Sequence, residues 1–468
     1  MAPLALFSLI LFTWYATYAV VRHNRFLTAA FDLGIFDQAA RQYSQFQVPV
    51  VPIRGEGLVV LSDHFHPIVA TLAPLYWVWD DPRTLLVAQA ALVAAAVPVV
   101  HGFARRRLAH WSAGAFTAVF AVGWPLQQLI HFDFHELAFA VPLLALAMDA
   151  LDRKADRSLV VWCVALLLVR EDMGLLVAML GLLRARTRPR SVGLGVVVGG
   201  AMAVVVITQL VMARLSPVGS WLYWSYDALG EDPRSAITWI LGHPWQTVQM
   251  LFEPRMKSLT WLCLFVPLLF LPLLSPYVVV AAPLLAAQFL TSRELLWQPT
   301  FHYWAPLWVI LVLAAVDGAA RIRSRRSVVV PTVPLVAGAI SVMGIALLPS
   351  LYPVLRLTDT DVDQGHHLEH QRMLVSAVPE NTCVEADNYI APHLTSTNKV
   401  GMPGGLTDPP ADFLALDMSA PTVAFEQATP EEARRAAEAE GYTAVWQQGS
   451  LVLLRAPDYA GPRADCSP

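Results

Sequence analysis

Apolar runs of about twenty residues recur along the first 350 positions, separated by short polar connections. A run of that length, coiled as a helix, crosses a hydrocarbon core roughly 30 Å thick. The pattern predicts eleven spans, at roughly 3–21, 84–104, 112–130, 137–151, 158–170, 172–183, 193–213, 258–275, 277–291, 304–320 and 328–350. The fifth and sixth are short for a full crossing. The run "PIVATLAPLYWVW" (67–79) is also too short, and predicts a re-entrant or interfacial helix with Trp77 and Trp79 at headgroup depth. Residues 3–21 lack the basic flank and small-residue cleavage pattern of a signal peptide, so they are read as a retained first span.

Three polar segments interrupt this pattern: 22–83, 214–257 and everything after about 351. From "RLTDTDVDQGHHLEHQRM" onward the composition turns polar. A helix-like stretch, "EEARRAAEAEG", then alternates with strand-like ones, "TAVWQQ" and "SLVLLR", around the Pro/Gly-rich connection "GMPGGLTDPP". The expected organisation is an all-α polytopic membrane domain over 1–350, with a large first outer loop at 22–83, followed by a small α/β domain over 351–468.

Composition strengthens the membrane reading. The chain is 56% hydrophobic and 15% charged with a mean hydropathy of +0.51, against about 25% charged in soluble domains. The net charge of −4 matters less than where the basic residues fall. "RRR" (105–107), "DRKADR" (152–157), "RARTRPR" (184–190) and "RIRSRR" (321–326) hold 14 of the 32 Lys and Arg. The positive-inside rule puts these connections in the cytoplasm. Eleven spans with the amino terminus inside satisfy that for all four, and leave the three long segments outside.

Four cysteines are present, Cys163 and Cys263 in spans and Cys383 and Cys466 in the outer segment. An oxidising exterior permits a disulfide between the last two, but the position of Cys466 near the last residues favours two unpaired thiols. No zinc-type spacing occurs.

On this topology, five polar clusters reach the outer face. They are "FDLGIFDQ" (31–38), "SDHFHP" (62–67), "HFDFHE" (131–136), "RED" (170–172) and "SRELLWQPTFHYW" (292–304). Charged groups near membrane depth persist mainly where they line a wet cavity or pair with one another, which favours one shared outward-facing site. Each cluster also has a structural explanation. Asp32 and Asp37 suit caps of the short helix "LGIFDQAARQY" and, five apart, share no helix face. Asp63, His64 and His66 suit a cation site or an acid/base pair, or equally an N-cap beside interfacial histidines. His131, Asp133 and His135 share a side if extended, whereas His131 and His135 share a face if helical; a wet interfacial loop is the third option. Arg170 either grips a phosphate or neutralises Glu171 and Asp172 within the loop. Trp297, His302 and Tyr303, with Arg293, Glu294 and Trp304, form an aromatic mouth suited to stacking on a sugar ring or to marking the interface.

"FDLGIFDQ", followed by "SDHFHPIVATLAPLYWVW", a run beginning "TLLVAQA", and then "HFDFHE", "RED" and "ADNYIAPHL", resembles domain-of-unknown-function family 2079. That family is similar to the GT-C class of integral membrane glycosyltransferases. The resemblance implies a bundle of about eleven to thirteen helices and a sugar donor carried on a polyprenyl phosphate. It also implies a first-loop acid acting as base or metal ligand. By position Asp32 or Asp37 matches that acid, and Asp133 or Glu136 matches an acid of the second outer loop, where known members carry a tighter acidic pair than "HFDFHE". An inverting transfer needs a base and a cation at the leaving phosphate. Asp32 or Asp63 is the expected base, with Asp37 as helper. His64, His135 and Arg170 are expected near the phosphate. Mg²⁺ or Mn²⁺ is the implied cofactor, with Asp133, His135, Glu136, Glu171 and Asp172 as candidate ligands. The implied partners are the lipid-linked sugar, a cell-envelope glycan, lipid or protein acceptor, and the bilayer.

Two other readings compete with this one. A transporter or flippase of lipid-linked precursors would also gather charge, yet no inverted repeat is visible and the mid-span regions are clean. A sensor or scaffold is the third, resting on Asp387 and His393 in the tail. Nothing indicates nucleic-acid binding, haem, a phosphate loop or a nucleophilic serine.

Overall fold

The computed structural model describes residues 2–217, 219, 224–325, 348–356, 365–420 and 428–468, so all but the last positions of the predicted span 328–350 lie outside the described residues. Among the described residues, five helices are long and apolar enough to cross a membrane: Ala2–Asn24, Arg83–Arg105, His110–His131, Arg190–Leu215 and His302–Arg323. They coincide with the first, second, third, seventh and tenth predicted spans. The fourth, fifth and sixth predicted spans become the shorter helices Leu137–Asp152, Asp156–Leu167 and Met173–Ala185. The eighth is interrupted: helix Arg255–Phe265 gives way to short 3₁₀ turns where Leu269 and Phe270 take φ of 54° and 55°. Pro267 and Pro272, which cannot donate a helical hydrogen bond, flank that break.

The His302–Arg323 helix is the centre of the bundle, with 83% of its apolar window buried. Indole hydrogen bonds tie its surroundings together: Trp308 donates to the Phe120 carbonyl at 3.1 Å, and Trp124 donates to the Cys263 carbonyl at 2.9 Å. The Met173–Ala185 and Arg190–Leu215 helices meet along a glycine seam. A Cβ on Gly200 would lie 2.6 Å from the Gly174 carbonyl oxygen, so only glycine lets these backbones approach so closely.

The two ends of the bundle differ in chemistry. At one end the basic connections pair with acids of neighbouring helices, Arg106 with Asp149 and Asp152, Arg184 with Asp156 at 2.5 Å, and Arg321 with Asp317 at 2.7 Å. The opposite end carries the long loop and the C-terminal sheet. In that loop, helix Ile35–Ser44 buries Asp37 completely, where it pairs with Arg41 at 3.0 Å and accepts the Tyr76 hydroxyl at 2.6 Å. Tyr76 belongs to the Pro67–Tyr76 segment, the predicted interfacial helix, which forms as a 3₁₀ turn running into one α-turn.

The sheet has five strands, β1 Cys383–Ala386, β2 Lys399–Gly401, β3 Phe413–Asp417, β4 Thr443–Gln448 and β5 Leu451–Arg455, in the order β2-β1-β3-β5-β4. β1 runs parallel to β2 and β3, and the pairs β3–β5 and β5–β4 are antiparallel. The expected strands at "TAVWQQ" and "SLVLLR" are β4 and β5. The expected helix at "EEARRAAEAE" forms over Pro430–Ala439 with a reciprocal Thr429/Glu432 capping box. Cys383 and Cys466 are joined in a disulfide, contrary to the expectation of free thiols. The turn Ala464–Cys466 folds back onto β1, with Arg463 anchored to Asp412 at 2.9 Å.

The first loop and the sheet share one hydrophobic core, in which Ile35, Ala39, Val51 and Ile53 of the loop pack with Val384, Ile390, Val400 and Phe413. Side-chain-to-backbone bonds cross the same boundary: the Gln38 side-chain amide donates to the Val400 carbonyl at 2.7 Å, and the Asp408 N–H donates to the Glu56 carboxylate at 2.8 Å. The His393 ring stacks on Phe26 and on His23, with centroids 3.7 and 4.2 Å apart.

Candidate active site

A cavity of about 870 Å³ opens at the loop end of the bundle, and all five polar clusters contribute charged groups to its lining. Asp32 enters from the one-turn π-helix Ala30–Gly34. Asn388 clamps that turn from the sheet: its carbonyl accepts the Ala30 N–H at 2.7 Å, and its side-chain oxygen accepts the Phe31 N–H at 3.2 Å.

"HFDFHE" is neither a strand nor a helix. His131 ends the Trp124–His131 helix, and the chain then turns through Asp133 at φ 59°, a left-handed position aspartate tolerates better than most residues. Gln89, fully buried on the Arg83–Arg105 helix, fixes the turn by donating to the Leu129 carbonyl at 3.0 Å and to the Asp133 carbonyl, while accepting the His135 N–H at 2.9 Å. The Asp133 carboxylate accepts the Ala29 N–H at 2.7 Å, joining this turn to the first loop.

These anchors bring His135 Nε2 to 3.0 Å from Asp32 Oδ1. The His135 ring stacks on His302, centroids 3.5 Å apart, and Tyr303 lies beside His302 at 4.0 Å. His135 Nδ1 is buried and has no hydrogen-bond partner among the described residues, and the same holds for His302 Nδ1. Burial raises the Asp32 carboxyl above its ordinary range even though His135 draws it down. Burial alone would depress the His135 imidazole, but Asp32, with Glu136 and Asp133 behind it, lifts it instead. Asp133 is pushed up to about 7 by burial, against the pull of Arg22.

Every acid in the cavity has a cationic neighbour. Asp63 is held by the Arg54 guanidinium through two bonds of 2.8 and 2.9 Å. Arg170 grips Asp172 through two bonds of 2.9 and 2.5 Å and lies 3.6 Å from Glu136. Glu171 accepts His64 Nδ1 at 2.8 Å and the Phe65 N–H at 3.1 Å. Arg22 stands 3.9 Å from Asp133.

Desolvation opposes charge on His64, yet Glu171 lifts its imidazole to about 9. A basic group raised in the folded state stabilises the fold below its unfolded value, near 6.5, and loses that contribution as pH climbs through the folded value. The unfolding midpoint of the protein in detergent is therefore expected to fall between about pH 6.5 and 9, and His64→Gln should flatten that part of the profile. An unchanged slope in the variant would remove His64 as its source.

Of the residues expected from sequence, Asp32, Asp63, His64, Asp133, His135, Glu136, Arg170, Glu171, Asp172, His302 and Tyr303 line this one cavity. Two do not. Asp37 is committed to Arg41 and Tyr76, and Trp297 is buried elsewhere, its carbonyl accepting Thr260 at 2.9 Å and its ring facing the Lys257 ammonium. The candidate metal ligands do not converge. Among the described residues the sole group of three ligand atoms within 4.8 Å of one another is Cys383, Asp412 and Cys466, whose sulfurs are already bonded together. The set Asp133, His135, Glu136, Glu171 and Asp172 is distributed over separate ion pairs, so as arranged it does not fit a preformed Mg²⁺ or Mn²⁺ site.

Sequence reasoning missed Arg22, Arg54, Gln89, Tyr226, Gln288, Asn388 and Tyr389. Arg22 carried a signal, a cation at the very end of the first span. Gln89, a single amide inside a 23-residue helix, carried another.

The profile of the family described as "Predicted membrane protein (DUF2079)" matches residues 22–453. The chain belongs to this family. Among solved structures it is similar to ArnT from Cupriavidus metallidurans bound to undecaprenyl phosphate, at 12% identity over 97% of this chain and 99% of that one, with a TM-score of 0.56. It also aligns with the archaeal oligosaccharyltransferase AglB from Archaeoglobus fulgidus, in complex with an inhibitory peptide and a dolichol phosphate. That match has 11% identity over 98% and 75% of the two chains and a TM-score of 0.40. No curated protein matches the sequence. The likeness to ArnT bears out the GT-C resemblance at the level of fold, and membership of the family agrees with a multi-pass membrane protein.

Proposed function

We propose that this protein is a membrane glycosyltransferase that moves a sugar from a polyprenyl-phosphate donor to a hydroxyl of a cell-envelope acceptor. The observation that carries the reading is the pairing of the half-buried Asp32 with the buried His135 inside a cavity that is polar at the loop end and apolar along its helices. Leu175, Val204, Leu284 and Ala287 supply the apolar wall, suited to an isoprenoid chain. In the proposed topology the amino terminus is cytoplasmic, eleven spans follow, and the cavity and the C-terminal domain 351–468 face outward.

Asp32 is preferred over Asp63 as the base. Arg54 occupies both carboxylate oxygens of Asp63 through two hydrogen bonds, whereas burial favours proton uptake at Asp32. Asp32, held at Oδ1 by His135 Nε2–H, takes the acceptor proton on its carboxylate as the new C–O bond forms. The bond between the sugar carbon and the phosphate oxygen breaks, and its electrons leave with the phosphate. Arg170 and His64 offer positive charge to that group, and His302 and Tyr303 offer ring faces to the sugar. A divalent ion would supply Lewis acidity at the phosphate, but the present donor arrangement gives no step that runs through one.

The test is reconstitution in lipid vesicles with polyprenyl-phosphate-linked sugars and envelope acceptor fractions. Appearance of glycosylated acceptor is the expected result. Passage of intact lipid-linked sugar between leaflets without any transfer would replace this reading with that of a flippase.

A further inference from the structure

Asn388 and Tyr389 are the two lining residues that the C-terminal sheet contributes to the cavity; the other lining residues belong to the bundle and its loops. Their place in the sheet is specific. β1 has parallel neighbours on both sides, with the chain continuing into β2 on one and returning as β3 on the other. In open sheets of this kind ligands bind beyond the carboxyl ends of the strands, at the point where strand order reverses. Here that point lies between the ends of β1 and β3, where the Asp417 N–H donates to the Asp387 carboxylate. Asp387 is 2% exposed and Asn388 4%, and the chain runs from them directly into Tyr389. The binding edge of the sheet therefore runs from Asp387 into the two residues that form the cavity wall, Asn388 and Tyr389, and Asn388 bonds the backbone that presents Asp32.

Chemistry narrows the ligand. This wall offers an amide, a phenol and a ring face, with the rings of Phe31 and Phe132 nearby on the lining. Such a surface exchanges hydrogen bonds with hydroxyls while packing against C–H faces, the pattern of a sugar ring. It offers no free strand edge to an extended peptide, because β1 is paired on both sides. The apolar wall that suits a lipid tail is built by the membrane helices instead.

We infer that Asn388 and Tyr389 form the acceptor subsite and that the acceptor presents a glycan, a polyhydroxylated ring, to Tyr389. This rests on the transfer reading for the word acceptor, though the binding it claims stands apart from turnover.

The full chain in detergent is titrated with a short neutral oligosaccharide and, separately, with a serine-containing peptide. Saturable oligosaccharide binding is expected, weakened at least tenfold by Tyr389→Ala and less than threefold by Tyr389→Phe, with unchanged unfolding midpoints. Tyr389→Phe keeps the ring in place, so parallel loss in both variants with a lowered midpoint would mark a structural role and overturn the proposal. So would equal binding by the wild type and Tyr389→Ala, peptide binding in place of oligosaccharide, or no oligosaccharide binding. Oligosaccharide binding that depends on Tyr389 in a protein that transfers no sugar would sink the transferase reading and leave the subsite standing.

Discussion

Asp32→Asn is expected to lower sugar transfer by about 10²- to 10⁴-fold, the usual contribution of a positioned general base. The amide keeps the shape of the carboxylate and can still accept a hydrogen bond from His135, but it cannot take up a proton. The unfolding midpoint should therefore move little while turnover collapses. His135→Asn should cost a similar factor, and the double variant little more than either single one, because residues acting as one unit are not additive. The transfer rate of the wild type should rise with pH as the pair loses its proton, and both variants should lose that limb of the profile. Transfer within threefold of wild type in Asp32→Asn would remove it as the base, and Asp63 would be the next carboxylate to replace.

Asp37→Leu is expected to do the reverse. Asp37 and Arg41 are both buried, at 0% and 2% exposure, and the Tyr76 hydroxyl completes the group. Removing one member of a buried ion pair leaves the other uncompensated, at a cost of roughly 3–5 kcal/mol. Asp80, also paired with Arg41, holds the expected value toward the lower end of that range. The measurement is thermal or denaturant unfolding in detergent, and Asp37→Leu combined with Arg41→Leu should recover much of the loss. A stable Asp37→Asn protein that fails to transfer sugar would instead put Asp37 in the chemistry.

The contrast between these two acids shows what was legible in the sequence. Asp32 and Asp37 sit five positions apart in one apolar stretch, and spacing alone said that they face different ways. It could not say which one faced the cavity, because the answer lies in Tyr76 and Asn388, 39 and more than 350 positions away. Span length located helices well, since a hydrophobic run reports its own burial in lipid. It overlooked the break at Leu269 and Phe270, where the run stays apolar although the helix stops. In the sheet, β4 and β5 were visible as strand-like stretches beside the capped helix, whereas β1 and β3, buried along their whole length, carried no such neighbouring signal. The shared location of the charged clusters followed from the distribution of Lys and Arg. Their pairing did not, because Arg22, Arg54 and Gln89 each meet partners from other elements. The Cys383–Cys466 bond was missed for a similar reason: sequence position near the last residues says nothing of the turn that brings Cys466 back against β1.

The common core of the first loop and the sheet sets an order of assembly. The helices enter the membrane as they are made, and the segment bearing Asp32 emerges among the earliest. Its backbone clamp, Asn388, follows 357 positions after Phe31, in a sheet that cannot close until β5 is threaded between β3 and β4. A chain in which β5 has yet to be made holds its helices but leaves the turn bearing Asp32 without its clamp. The architecture thus ties the placement of Asp32 to the closing of the sheet, and a chain caught before that step has an incomplete cavity wall.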